Sequence, residues 1–232
     1  NNDGIDDIFV GSMGLQYRDP DSNNDFILPY PDLLLLSDSS GRFIDASLNI
    51  DDQNNGNGKI CGFSHDASTG DFDNDGDYDI YACNLLLVND GLGNFEIHQD
   101  LDFNLQQAYG NPMSSLIVDL NNDNYADLVF WNFDNRPNSI PEEGFALVSD
   151  GTANVDNWTL VELPEGPFGR NHNKFNHAAW GDLNNDGNND VVVGITRDLP
   201  YYEGAYVQVL MGDGAGNLVD VTNTNFNDQP RQ

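Results

Sequence analysis

Positive charge is scarce in this chain. Its 232 residues carry 8 Lys and Arg against 39 Asp and Glu, a formal net charge of −31. Nucleic acid and anionic membrane surfaces are therefore expected to be poor partners, because one polyanion repels another. Long apolar runs are also missing. No stretch approaches the roughly 18 residues of a bilayer-spanning helix, so no membrane insertion is expected. Cysteine is limited to Cys61 and Cys83, which leaves one disulfide or two thiols open and does not set the compartment. The motifs G-x-S-x-G and H-E-x-x-H are absent, so no standard hydrolytic nucleophile or zinc site is written in the chain. Aromatic residues, by contrast, are plentiful: 13 Phe, 9 Tyr and 3 Trp. They supply a core, so the acidity does not mean disorder. The length suits one large domain or two small ones, and residues 1–232 read as a single domain or a fragment of one.

What is abundant is Asp, and it is concentrated in a repeated turn. Asp71-Phe-Asp73-Asn-Asp75-Gly76-Asp77-Tyr-Asp79 has the form D-x-D-x-D-G-x-x-D. Asp119-Leu-Asn121-Asn-Asp123-Asn124-Tyr125-Ala-Asp127 and Asp182-Leu-Asn184-Asn-Asp186-Gly187-Asn188-Asn-Asp190 repeat it. Asn1-Asn-Asp3-Gly4-Ile5-Asp-Asp7 is the same motif without its first two positions. Irregularly spaced copies of one such turn indicate an array of one supersecondary unit. Downstream of each turn lies an apolar run, a second Asp with Gly or Ser, and another apolar residue: "LLLLSDSSGRF", "LLLVNDGLGNF", "FALVSDGTANV" and "VQVLMGDGAGNL". That pattern reads as a strand, a tight turn and a returning strand.

Crowded like charges repel unless a cation cancels them. Oxygen ligands at alternate positions of a tight turn converge on one point, and Gly or Asn at the sixth position permits the left-handed backbone such a turn needs. Carboxylates with one backbone carbonyl make a hard-cation site that suits calcium. The predicted ligands are Asp71, Asp73, Asp75 and Asp79 with the carbonyl of Asp77. In the third copy they are Asp119, Asn121, Asp123 and Asp127 with the carbonyl of Tyr125. In the fourth they are Asp182, Asn184, Asp186 and Asp190 with the carbonyl of Asn188. The first copy retains Asn1, Asp3, Asp7 and the carbonyl of Ile5. An EF-hand is rejected: it needs Glu at loop position 12, and Ala82, Phe130 and Val193 stand there, within strand-like "DIYAC", "DLVFW" and "DVVVG". These strands are apolar on both faces, which predicts burial on both sides and, for an antiparallel array, stacked blades of a β-propeller.

The stretches "FSHDASTGDFDNDGDYDIYACN" and "FNHAAWGDLNNDGNNDVVVG" resemble the FG-GAP/VCBS repeat family, the integrin-α-like propellers. The resemblance covers nearly the whole chain. It implies an all-β fold of four-stranded antiparallel blades with calcium in the turn between strands 1 and 2. It also implies an extracellular or cell-surface location. Family propellers usually have seven blades and some have eight. About four repeats therefore imply part of a larger propeller or, alternatively, a missing strand supplied by another copy in head-to-tail self-assembly.

In such a meander the calcium turns and the Asp-Gly turns share one end of the blades. The opposite end holds the 2–3 connections (roughly 12–32, 132–144 and 195–205) and the crossovers (roughly 48–62, 99–112 and 164–176). Six of the eight basic residues fall there: Arg18, Lys59, Arg136, Arg170, Lys174 and Arg197. Tyr17, Tyr30, Tyr109, His172, Tyr201 and Tyr202 join them. Arg and Tyr suit carboxylates and sugars, so Arg18, Arg136, Arg170, Arg197, Tyr201 and Tyr202 are the candidate contacts for a glycan or protein ligand. An alternative is that each Arg pairs with a local Asp. His65 and His177 precede calcium turns and read as structural. Three functions follow: a calcium-stabilised, non-catalytic binding or adhesion module; a structural subunit of a surface filament or sheath; or a lyase of acidic polysaccharides using His172, Tyr201, Tyr202 and Arg197.

Overall fold

Each acidic turn leads into a strand, as the apolar runs predict, and the strands that follow fold back in sequence order. The computed structural model describes residues 1–12, 15–18, 25–28, 31–51, 64–83, 85–98, 111–133, 144–169, 172–197 and 203–225. Over these residues the protein is all-β. Strands β1 (Ile8–Val10), β4 (Leu33–Ser37) and β5 (Phe43–Asp45) form a three-stranded sheet, while β2 (Leu15–Arg18) and β3 (Asp25–Leu28) pair as a separate hairpin. The second sheet contains β6 (Ala67–Gly70), β7 (Asp79–Ala82), β8 (Leu85–Asn89) and β9 (Phe95–Ile97). The third contains β10 (Asn111–Val118), β11 (Asp127–Phe133), β12 (Gly144–Val148) and β13 (Thr159–Glu162). The fourth contains β14 (Asn173–Gly181), β15 (Asp190–Arg197), β16 (Glu203–Gly212) and β17 (Leu218–Asp220), and a one-turn helix at Thr222–Asn225 follows it. All neighbouring strands are antiparallel.

The core consists of three apolar layers, each drawn from two successive sheets. Leu34 meets Ile80, Leu85 and Leu87 between the first and second sheets. Phe72, Tyr81 and Leu86 meet Ile117, Leu128, Phe130 and Trp158 between the second and third. Leu116, Val129 and Trp131 meet Phe175, Val191 and Val193 between the third and fourth. Alternate residues of one strand enter different layers because side chains alternate across a sheet. Ile80 thus faces one neighbour and Tyr81 the other. The contact is close at Gly70, where a Cβ would lie 2.5 Å from Ile117 Cγ2, so the inner strands approach without room for a side chain.

Four expectations need correction. The 12–32 connection is not simply a loop, because it holds the β2–β3 hairpin. Lys174 is not in an exposed crossover: it lies in β14 and is 2% exposed. Its neighbour Phe175 stacks on Trp131 with ring centroids 5.9 Å apart, which holds this stretch as strand. Arg197 ends β15 rather than lying in a loop. Finally, β1 is buried on one side only. Phe9 joins the first layer, but Ile8 and Val10 are 39% and 48% exposed, because no described sheet packs on that face. Cys83 is disulfide-bonded, and Cys61, the chain's only other cysteine, lies outside the described residues.

Candidate metal centre

The acidic turns are held first by hydrogen bonds to their own backbone. The first Asp of each full motif accepts two amides of the turn. Asp71 takes those of Asp75 and Gly76, both at 3.1 Å. Asp119 takes those of Asp123 (3.3 Å) and Asn124 (2.9 Å), and Asp182 those of Asp186 (3.1 Å) and Gly187 (3.0 Å). The fifth-position acid accepts the amide two residues on, at 2.9 Å for Asp3 and Ile5, 2.9 Å for Asp75 and Asp77, 2.8 Å for Asp123 and Tyr125, and 2.9 Å for Asp186 and Asn188. The sixth position is left-handed as expected, at Gly4, Gly76, Asn124 and Gly187. The fourth position is left-handed too, at Asn2, Asn74, Asn122 and Asn185, with φ between 56° and 60°. Sequence reasoning overlooked that role. The signal was Asn at this position in all four copies, the residue other than Gly that best tolerates this region.

The ninth-position acid joins the turn to the end of strand 3. Asp79 accepts the amides of Phe72 and Asn89, both at 2.8 Å. Asp127 accepts those of Leu120 and Ser149 at 2.7 Å, and Asp190 those of Leu183 (2.8 Å) and Gly212 (2.9 Å). Asp7 accepts the Ser37 amide at 2.7 Å and the Asn1 amino group at 2.9 Å. Asp79, Asp127 and Asp190 are all 0% exposed. Burial pushes Asp79 up to about 7 and Asp127 up to about 6, although the amide bonds pull the other way.

The second turn alone gathers three carboxylates among the described residues. Oxygens of Asp71, Asp73 and Asp79 lie within 4.8 Å of one another. Asp73 Oδ1 is buried and has no hydrogen-bond partner. Burial, reinforced by the charges of Asp75 and Asp71, raises the Asp73 pKa. A buried carboxylate oxygen without a donor is costly, and a cation beside it would remove that cost. The third and fourth turns differ, because Asn121 and Asn184 donate to Asp123 and Asp186 at 2.8 Å. All-oxygen donors of this kind fit a hard divalent cation such as calcium, not a thiophilic or imidazole-seeking metal.

Turns of neighbouring sheets meet at one end of the protein. Asn2 donates to Asp77 at 2.7 Å, Asn122 to Asn188 at 2.9 Å, and Asn189 to the Asp119 carbonyl at 2.7 Å. The Asp-Gly turns share this end, since Asn121 donates to the Ser149 carbonyl at 3.0 Å and Ser149 Oγ to Asp123 at 2.7 Å. Of the expected ligand-binding residues, Arg136, Arg170, Tyr201 and Tyr202 lie outside the described residues. Arg18 is placed in β2 and Arg197 at the end of β15 remote from Asp190. His172 Nδ1 is buried without a hydrogen-bond partner. His65 precedes β6, where burial lowers its pKa, and His177 lies within β14. No protein-family model matches the chain, and no curated protein matches it.

Proposed function

We propose that the acidic turns bind calcium and that the chain is a segment of a β-propeller acting as an extracellular, non-catalytic binding module. The observation that carries this reading is the second turn, where Asp71, Asp73 and Asp79 converge and one buried Asp73 oxygen has no donor. Sheets stacked in chain order, with acidic turns at one end, support the propeller. Calcium replaces the repulsion of the turns with attraction and rigidifies one end of the stack. The other end, where β2 carries Arg18 and β15 ends in Arg197, is the surface for an acidic glycan or a protein carboxylate. Fold alone does not set that ligand.

Thermal unfolding in millimolar calcium and in excess chelator tests the metal. A filled site at about a hundred times its Kd adds about 2.7 kcal/mol, so the midpoint should rise by several degrees in calcium and fall on chelation. Equal midpoints in both buffers would refute the metal reading and leave the turns as hydrogen-bonded surface structure.

A further inference from the structure

The turn leading into the outer strand is longer in the third sheet than in the others. Strands β5, β9 and β17 begin directly after Arg42, Asn94 and Asn217. Strand β13 begins only at Thr159, although Asn154 holds the place of Asn94 and Asn217. Residues 155–158 are therefore an extra excursion, and Val155–Asn157 forms a short 3-10 turn within it. Its last residue anchors it. Trp158 is buried in the layer between the second and third sheets. Its ring centroid lies 4.8 Å from that of Phe72, and its Nε1 donates to the Thr152 carbonyl at 3.1 Å. The residues on either side of it, Asn157 and Thr159, are both exposed.

Asn157-Trp158-Thr159 has the form N-x-T, the acceptor sequence for N-linked glycosylation. No other Asn of the chain is followed two residues on by Ser or Thr. The asparagines of the turns are committed to the fold. Asn94 and Asn217 donate to Asp90 and Asp213 at 2.7 and 2.8 Å, and Asn121 and Asn184 donate to Asp123 and Asp186 at 2.8 Å. A substituent on any of these would break a turn. The Asn157 side-chain amide and the Thr159 hydroxyl have no hydrogen-bond partner among the described residues. A glycan on Asn157 therefore breaks no bond of the fold and displaces no core side chain.

We propose that Asn157 is an acceptor for an N-linked glycan, donated by a lipid-pyrophosphate-linked oligosaccharide on an oligosaccharide transferase of the secretory pathway. The Asn157 Nδ2 forms a bond to C1 of the first sugar. The bond from C1 to the pyrophosphate oxygen breaks, and the lipid pyrophosphate leaves with the bonding electrons. One amide proton passes to a base of the transferase. Thr159 supplies the hydroxyl that the transferase reads. The inference rests on the extracellular part of the proposed function and not on calcium. Strand β13 is the last of its sheet, and the excursion follows the Asp150–Gly151 turn. The glycan thus stands on the outer edge at the acidic-turn end, and it leaves the opposite end free for a ligand.

The test expresses the 232-residue chain behind a cleavable secretion signal in cultured animal cells. The mass of the product is read before and after treatment with peptide N-glycosidase, in medium and lysate alike. The expected result is a mass excess that the enzyme removes, with peptide mapping placing the deamidated position at residue 157. Asn157→Gln and Thr159→Ala should each abolish the excess, and Thr159→Ser should keep it. Asn157→Gln should unfold at the same temperature as the deglycosylated parent, which separates loss of the acceptor from misfolding. A chain whose signal is cleaved but whose mass matches the bare sequence overturns the inference. A mass excess that persists in Asn157→Gln overturns it as well. Should the chain fail to be exported, translation into microsomes with protease protection gives the same readout. Failure here leaves the calcium test untouched, and equal unfolding midpoints in calcium and chelator leave this site standing.

Discussion

The second acidic turn carries Asp73 at its third position, and the third turn carries Asn121 there. In both turns the first, fifth and ninth acids accept the same backbone amides, and in the third Asp123 also accepts from Ser149 Oγ. Asn121 supplies a donor to Asp123 and its own oxygen accepts the Asp123 amide at 3.1 Å. Asp73 also bonds to the Asp75 backbone, but it has no amide group to donate, and its Oδ1 is buried without a partner. The third turn is therefore largely satisfied by the chain itself, whereas the second leaves one buried carboxylate oxygen without a donor. If the turns bind calcium as proposed, the second turn should respond to it more strongly than the third.

The comparison is broken most severely at the ninth position. Replacing Asp79 or Asp127 by Ala strands two buried amides, each costing about 1–3 kcal/mol. We expect a loss of about 2–5 kcal/mol in urea unfolding for either variant in chelator. In calcium the Asp79→Ala loss should grow, because a ligand of the proposed site is lost as well. Equal losses in both buffers for Asp79→Ala would show that the ninth acid only joins backbone segments.

Acidity offers the second test. In the folded protein Asp79 titrates near 7 and Asp127 near 6, above the ordinary 3.8. A carboxyl with a raised folded pKa binds protons more tightly when folded. Its contribution is therefore fully present below about pH 4 and is lost as pH rises through the folded value. In chelator, these two groups should make stability fall from about pH 4 to about pH 7, by at most about 1.4 kcal/mol per pH unit for each group. Saturating calcium should flatten that decline. A chelated protein whose stability rises steadily across this range would contradict the assignment.

The exchange itself has the smallest expected effect. Asp73→Asn should convert the second turn to the form of the third. It should raise chelated stability by about 1 kcal/mol and reduce the stabilisation by calcium. Asn121→Asp should do the reverse. If Asp73→Asn leaves the calcium response of the unfolding midpoint intact, the unpartnered oxygen is not what draws the metal.

The strand order within each sheet was legible in the chain. Apolar runs such as "LLLV" and "DVVVG" lie between turn sequences of fixed chemistry, and short antiparallel connections leave little topological choice. The candidate site was legible in part. The acids and the sixth-position Gly or Asn could be read from their spacing. The ninth acid's bonds to Asn89, Ser149 and Gly212 could not, because they cross to a strand 10 to 22 residues away. Lys174 misled for a similar reason: a charged residue in a Gly- and Asn-rich stretch reads as loop, yet Phe175 beside it is drawn into the core by Trp131. The hairpin at β2 and β3 was hidden within a stretch of Pro, Asp and Asn that looks like a connection.

By itself the sequence determined the repeating unit, its acidic turns and its all-β character, because local spacing and turn chemistry act over a few residues. Tertiary structure decided which acids converge, that one Asp73 oxygen among them is buried without a donor, and that Lys174 is buried. Those outcomes depend on what one sheet presses against the next. Between the second and third sheets Ile117 packs tightly on Gly70, whereas Phe9 and Thr69 line a cavity between the first and second.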